Sequence, residues 1–450
     1  MSFKVQFSHI AEIIMGQSPK GEEVNNEGIG FPLLNGPTEF TDRYPLPVQH
    51  TAFEKKTSLP GDILFCVRGS TTGKMNYSDQ KYCIGRGLAA IRGRNGYPTP
   101  YVKAVLEACL PELLAAATGS TFPNVSRDLI SNISVDVLSV DDAYRISKFI
   151  ESQEGKVFNN NGINQTLEQI AQALFKSWFV DFEPVKAKIA ILEAGGSQEE
   201  ATLAAMAAIS GKDAGSLAIF EQVYPEKYAE LKSTAELFPS AMQDIESVKI
   251  PESWNLVPLS SIASFASGKI NVSELTKDTY ISTENMLVNK MGIECAASLP
   301  SASTTPSFNP GHILISNIRP YFKKIWLARF SGGRSADVLA FEHKKHITAE
   351  YLYNILYQDS FFDFMMRTSK GVKMPRGDKK AIMEWSCIEP TVELVSVFSN
   401  KVKEFYSYIE SHNKENTQLS QLRDTLLPKL LSGEITLPEA EEITKEADYV

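Results

Sequence analysis

Ile170-Ala171-Gln172-Ala173-Leu174-Phe175-Lys176-Ser177-Trp178-Phe179-Val180-Asp181-Phe182 closes a stretch whose seam residues step in alternating fours and threes. The seam runs Ile146, Ile150, Gln153, Val157, Asn160, Asn164, Leu167, Ala171, Leu174, Trp178, apolar at its ends and polar in its middle. That spacing averages about 3.5 residues and predicts a helix from Asp141 to Trp178 that buries its seam against another helix. At about 1.5 Å per residue the helix is roughly 57 Å long, more than a small globule buries.

A second seam lies 252 residues further on: Phe398, Val402, Phe405, Ile409, His412, Asn416, Leu419, Arg423, Leu426, Leu430. It keeps the phase and the polar middle, and Trp178-Phe179 falls on Leu430-Leu431. Two equal seams, each closing one half of the chain, predict a coiled-coil spine joining two similar halves. Two unrelated amphipathic helices would have no reason to keep one offset throughout. His412, beside Asn416 and opposite Asn160 or Asn164, reads as a polar layer that sets register.

The halves also repeat outside the helices. Pro60-Gly61-Asp62-Ile63-Leu64-Phe65 is echoed 250 residues on by Pro310-Gly311-His312-Ile313-Leu314-Ile315. Gly119-Ser120-Thr121-Phe122-Pro123-Asn124 is echoed at 252 by Gly371-Val372-Lys373-Met374-Pro375-Arg376. Each half reads as short strands and polar loops with one helix, Tyr101–Ala117 in the first and Ala349–Arg367 in the second. A duplicated frame with changed loops suggests one task performed with two specificities. Residues 185–248 are an insert, helical by propensity over Ala187–Ala208, and read as a connector without chemistry of its own.

At 450 residues and 43% hydrophobic content the chain can build more than one core. Its scattered cysteines, Cys66, Cys83, Cys109, Cys295 and Cys387, form neither a disulfide framework nor a zinc site and suit a reducing compartment. No signal-peptide core follows Met1 and no run of 18 apolar residues occurs, so a cytoplasmic protein with no membrane segment is expected.

The net charge of −9 argues against a nucleic-acid ligand until it is located. Residues 185–250 carry 6 basic and 10 acidic side chains, and the tail from Glu434 carries one Lys and 6 acids. The rest is neutral and holds three basic stretches, Cys66–Arg94, Arg319–Arg334 and Arg367–Lys380. Local clusters set the field that a polyanion meets. One such cluster is as readily a solvated surface; recurrence in both halves favours binding.

Signatures of catalysis are weak. Arg68-Gly69-Ser70-Thr71-Thr72-Gly73-Lys74 can approach a phosphate backbone but lacks the Walker spacing. Asn309-Pro310-Gly311 is a turn, not the Asn/Asp-Pro-Pro-aromatic loop of an adenine methyltransferase. Asn25–Gly30 is too weak for a cofactor site. His343-Lys344-Lys345-His346 has helical ligand spacing but reads as solvated basic surface. Cys66 and Cys83 read as strand core. No catalytic residue and no metal site is expected.

Gln169–Phe182, Leu422–Ile435, the opening Ile250-Pro251-Glu252-Ser253-Trp254, and the segments Gly16–Pro19 and Gly85–Arg92 resemble the specificity subunit of type I restriction-modification systems. The resemblance covers nearly the whole chain, with Pro258–Pro390 matched by architecture more than by motif. It implies an α+β fold. Two similar target-recognition domains would be separated and joined by two long antiparallel coiled-coil helices, a pseudo-twofold internal duplication. The expected segments are a first recognition domain at 1–140, a central helix at 141–183, an acidic helical connector at 184–249, a second recognition domain at 250–390, a C-terminal helix at 391–433 and an acidic tail at 434–450.

The resemblance further implies that each domain reads one half of a split site in double-stranded DNA and that the helices set the unread spacer. The spine would dock two methyltransferase subunits through Leu167, Ala171, Leu174, Phe175, Trp178, Phe179, Leu419, Leu426, Leu427, Leu430 and Leu431. Those partners methylate adenine with S-adenosylmethionine, and two restriction (motor-nuclease) subunits using ATP and Mg can join them. The chain itself is expected to bind no cofactor and to be non-catalytic. Two alternatives stay open: a recognition module of the same fold in another phage-defence or modification assembly, and a self-contained hydrolase or transferase on an unfamiliar α+β fold. Partner identity separates the first, and catalysis by the pure chain would reveal the second.

Candidate DNA contacts are polar residues on loops or strand ends within the repeated clusters. In the first half they are Gln17, Ser18, Lys20, Asn35, Arg68, Ser70, Thr71, Thr72, Lys74, Arg86, Thr121 and Asn124. In the second they are Lys269, Asn317, Arg319, Tyr321, Lys323, Arg334, Lys373 and Arg376. Arg and Lys position a duplex through phosphates, while Arg, Asn, Gln and hydroxyl side chains read base edges.

Overall fold

The computed structural model describes residues 2–117, 123–344 and 346–447. They divide between two compact units, Met1–Ile163 with Ser411–Val450, and Asn164–Glu410. Both long helices form, Val140–Phe179 with 40 residues and Val392–Ser432 with 41. Each runs from one unit into the other.

In the first unit one sheet is ordered Ala11–Met15, Leu88–Gly93, Ile63–Cys66, Met75–Tyr77, all antiparallel. The strand Ile63–Cys66 is buried on both faces, which is why its sequence is an unbroken apolar run. Ile63, Phe65 and Ile91 face a core shared with the helix Thr99–Ala115 and with Ile146, Ile150, Leu426 and Leu430 of the long helices. Leu64, Cys66, Leu88 and Ala90 join a smaller core with Leu34, Tyr82 and Ile84, and Cys83 is buried beside them, as expected for strand core. That core underlies a second sheet, ordered Val24–Asn25, Gln49–Thr51, Phe31–Leu34, Cys83–Ile84.

The second unit repeats the plan. Ala263–Phe265, Val338–His343, Ile313–Ser316 and Ile325–Leu327 take the same sheet order. Asn255–Pro258 pairs with Ser386–Glu389 just as Phe3–Gln6 pairs with Ser134–Val137, 252 residues earlier. The helix expected over Ala349–Arg367 is two helices, Ala349–Leu356 and Asp359–Arg367, because Gln358 turns to an extended conformation before Asp359. The connector is likewise broken. Gly195-Gly196 ends one helix, Glu183–Glu193, and a capping box between Ser197 and Glu200 starts the next, Gln198–Ser210. Ala214–Val223 and Pro225–Glu236 follow.

The polar layer of the seam is formed in the first unit. Asn160, 2% exposed, donates from Nδ2 to Glu415 Oε2 at 2.7 Å and to Asn416 Oδ1 at 2.9 Å. Asn416 Nδ2 donates in turn to Asn161 Oδ1 at 2.9 Å. Ile146 and Ile150 share their core with Leu426 and Leu430, whereas Asn160 meets Asn416, so rising numbers on one helix meet falling numbers on the other. Within this unit the segments are antiparallel. The offset of 252 therefore relates copies, not contacts.

Candidate nucleic-acid interface

Five loops of the first unit are tied together by backbone hydrogen bonds. Gln17 N donates to Ile84 O at 2.8 Å, Gly85 N to Leu34 O at 2.8 Å, Val67 N to Gly87 O at 2.9 Å, Val125 N to Val67 O at 3.0 Å and Gly69 N to Pro123 O at 3.3 Å. A Cβ on Gly87 would lie 2.3 Å from the Asn35 carbonyl oxygen, so only glycine allows these two loops to meet. The result is a polar surface. Ser18 Oγ accepts from Arg86 N at 3.1 Å and lies 3.4 Å from Asn35 Oδ1. Asn35 Nδ2 donates to Gln49 Oε1 at 3.1 Å. Arg68 pairs with Asn124 through a backbone bridge, and both are exposed.

The second unit builds the same frame from different side chains. Ile318 bridges Arg376 as Arg68 bridges Asn124, and Arg319 N donates to Pro375 O at 2.8 Å as Gly69 N donates to Pro123 O. Asn317 N donates to Asp337 O at 2.8 Å, where the first unit has Val67 and Gly87. Arg319 (φ 49°) and Lys323 (φ 48°) both occupy the left-handed region, a strained choice for residues other than glycine, and frame a short turn around Tyr321. Asn317 Oδ1 and Arg319 Nε are buried and lack a hydrogen-bond partner among the described residues.

Most expected contact residues do lie on these loops. Gln17, Lys20, Asn35, Arg68, Ser70, Lys74, Arg86 and Asn124 are exposed in the first unit, and Lys269, Tyr321, Lys373 and Arg376 in the second. Some, Arg376 among them, are already engaged. Thr72 Oγ1 donates to the Gly69 and Pro123 carbonyls at 2.8 and 2.9 Å, and Thr71 Oγ1 sits 3.6 Å from Cys66 Sγ. Lys323 Nζ is 3.0 Å from Asp359, and Arg376 is 3.2 Å from Asp337. Thr121 lies outside the described residues.

One assignment is corrected. Arg334, only 8% exposed, donates to the carbonyls of Val338 at 2.6 Å, Ala266 at 3.0 Å and Ser307 at 3.3 Å. Its guanidinium crosslinks strands, and burial pushes its pKa down. It is a strut of the second unit, its guanidinium turned to the chain's own backbone.

Sequence reading missed the amide cluster beside Asn35. Asn25, Asn26, Asn35 and Gln49 line an open pocket of about 460 Å³ with Pro19, Gly21 and Val24. Carboxamides are the side chains suited to adenine edges. The signal lies in Asn25-Asn26, weighed above only as a cofactor site, and in Gln49 on the strand opposite Leu33.

The expected docking residues also need correction. Ala171, Phe175, Trp178 and Phe179 are buried in the second unit's core, where Phe175, Trp178 and Phe179 lie 5.7, 6.1 and 5.3 Å from the Phe398 ring. Leu426, Leu427, Leu430 and Leu431 are buried in the first unit's core. Side chains spent on the chain's own cores cannot also form a docking face. Leu167, Leu174 and Leu419 are partly buried. The exposed large apolar side chains of the long helices are others: Val140, Tyr144, Phe158, Ile163, Ile170, Val392 and Tyr408.

His346 Nε2 lies 2.8 Å from Glu389 Oε1, and Lys345 is outside the described residues. Among the described residues no three His, Cys, Asp or Glu side chains are grouped to hold a metal ion, and no single helix is long and apolar enough to cross a membrane.

Comparison with known proteins points in one direction. Residues 4–169 match the family described as the type I restriction modification DNA specificity domain. The chain is 30% identical over 348 residues to the type I restriction enzyme HindI specificity subunit of Haemophilus influenzae, covering 72% of this chain and 74% of that one. It is 21% identical to the EcoDI specificity subunit of Escherichia coli, covering 84% and 77%. In structure it is similar to the S subunit of a type I restriction-modification system from M. genitalium, with a TM-score of 0.52, 14% identity and 96% of each chain covered. That last likeness concerns the fold alone.

Proposed function

The chain belongs to the family of type I restriction-modification specificity subunits, and on that premise we propose that it reads a split DNA site for a methyltransferase complex. Each unit's loop surface contacts one half of the site. The number of residues in the long helices sets the unread spacer. Two adenine-methylating subunits carry S-adenosylmethionine, and restriction subunits with ATP and Mg join through them. The chain contributes recognition and no chemistry.

The observation that carries this reading is the repeated frame with changed loops. The same bridges recur, Arg68 to Asn124 and Ile318 to Arg376, but the side chains they present differ. A conserved scaffold with different projecting groups is what two distinct half-sites require. Arg68 and Lys373 would hold phosphates, and Asn35 with Gln49 would read base edges.

Fluorescence anisotropy with the chain bound to its methyltransferase partner tests the division of labour. Arg68→Ala is expected to weaken binding to all duplexes and lower the slope of log K against log salt by about one. Asn35→Ala is expected to relax one half-site at a cost of about 1–3 kcal/mol and leave the other intact. Wild-type behaviour of both variants would reject the loop surface as the reader.

A further inference from the structure

Lys370 and Arg376 exchange both backbone hydrogen bonds at 2.9 Å and close a small hairpin whose tip is Gly371–Pro375. Gly371, at φ 97°, supplies the left-handed turn. Val372 at the tip is fully exposed, at 102%, and Met374 is half exposed, at 49%. The exposed Tyr321 stands on the adjoining loop, which the Arg319 N to Pro375 O bond holds in place. Three cations flank the apolar pair. Arg376 is oriented by Asp337 and Lys370 by Asp378, while Lys373 is exposed at the tip.

An apolar side chain held wholly in water gains free energy only when something covers it. Flanking cations make that cover a polyanion. Among base-pair edges in the major groove, thymine alone presents an apolar group, its C5-methyl. We propose that Val372, backed by Met374, reads a thymine methyl in the second half-site. This rests on the DNA-recognition reading above. On that reading a half-site carrying a methylatable adenine also has a thymine on the opposite strand. At the offset of 252 the first-half sequence carries Ser120 and Phe122 at these two positions, so the two halves differ there in residue type.

The test uses the chain in complex with its methyltransferase partner and duplexes carrying the site mapped by methylation sequencing. Each thymine of the second half-site is replaced singly by deoxyuridine, which lacks only the methyl. At one position the wild-type complex is expected to bind about four-fold more weakly, the worth of one buried methyl. Val372→Ala is expected to bind the thymine duplex more weakly by a similar factor and to lose the distinction between thymine and deoxyuridine. Met374→Ala is expected to reduce it. Deoxyuridine in the first half-site should act equally on wild type and V372A. The proposal is overturned if no second-half thymine is sensitive, or if the sensitivity survives unchanged in V372A while specific binding persists. Failure of the wild-type complex to prefer the mapped site over a scrambled duplex would instead remove the recognition reading, and this proposal with it.

Discussion

Glu168, on the central helix, sits among Gln172, Tyr353 and Arg329, and burial lifts its carboxyl pKa to about 7 against the opposing pull of Gln172, Arg329 and Lys290. Between pH 4.5, its ordinary value, and about 7 the folded chain keeps a proton that the unfolded chain has released. The contribution is therefore full below pH 4.5 and is lost as pH rises through 7, on the order of 3 kcal/mol in all. Urea midpoints at pH 5 and pH 8 should fall more steeply for wild type than for Glu168→Gln, which cannot ionise. Equal falls would show that Glu168 does not titrate in this range. Arg334 teaches the converse. In sequence it stands in Gly332-Gly333-Arg334-Ser335 and reads as a basic loop, but three backbone carbonyls from separate segments meet it in the fold. Nothing local marks an arginine as buried when its acceptors come from elsewhere in the chain.

At the scale of elements, the Asn160 layer is the test of what the polar middle of the seam does. Asn160→Ala leaves Asn416 Oδ1 without its buried donor and removes one donor from Glu415, at an expected cost of about 1–3 kcal/mol. Replacing Asn160 and Asn416 together by leucine should recover much of that loss, because an apolar pair leaves fewer orphaned groups. Urea denaturation of the single and double variants measures both terms; a single variant as stable as wild type would mean the layer is solvated. Both long helices and the duplicated frame were legible in the sequence, because periodicity and a constant offset need no knowledge of tertiary contacts. The offset slips from 252 to 250 and back because the loops absorb a two-residue difference while paired strands cannot. The seam places Trp178 and Leu430 against another helix, but that they, with Phe179 and Leu431, pack into the units' own cores and are lost to a docking face was not legible. An apolar seam tells that a face is covered but not by what.

At the scale of the whole molecule, net charge misleads and its distribution informs. The connector and tail hold the acidic excess, leaving the loop surfaces of both units free to be locally basic. The segment matching the family, 4–169, ends inside the central helix, and the second unit repeats the first unit's sheet topology. On the proposed function, one chain specifies two unlike half-sites at a fixed separation. Single-molecule sequencing of DNA from cells expressing this chain with its methyltransferase partner, against cells lacking this chain, measures it directly. The account predicts methylated adenine in a motif of two blocks with a constant gap, absent from the control. A contiguous motif, or no new motif with both proteins expressed and associated, would contradict it.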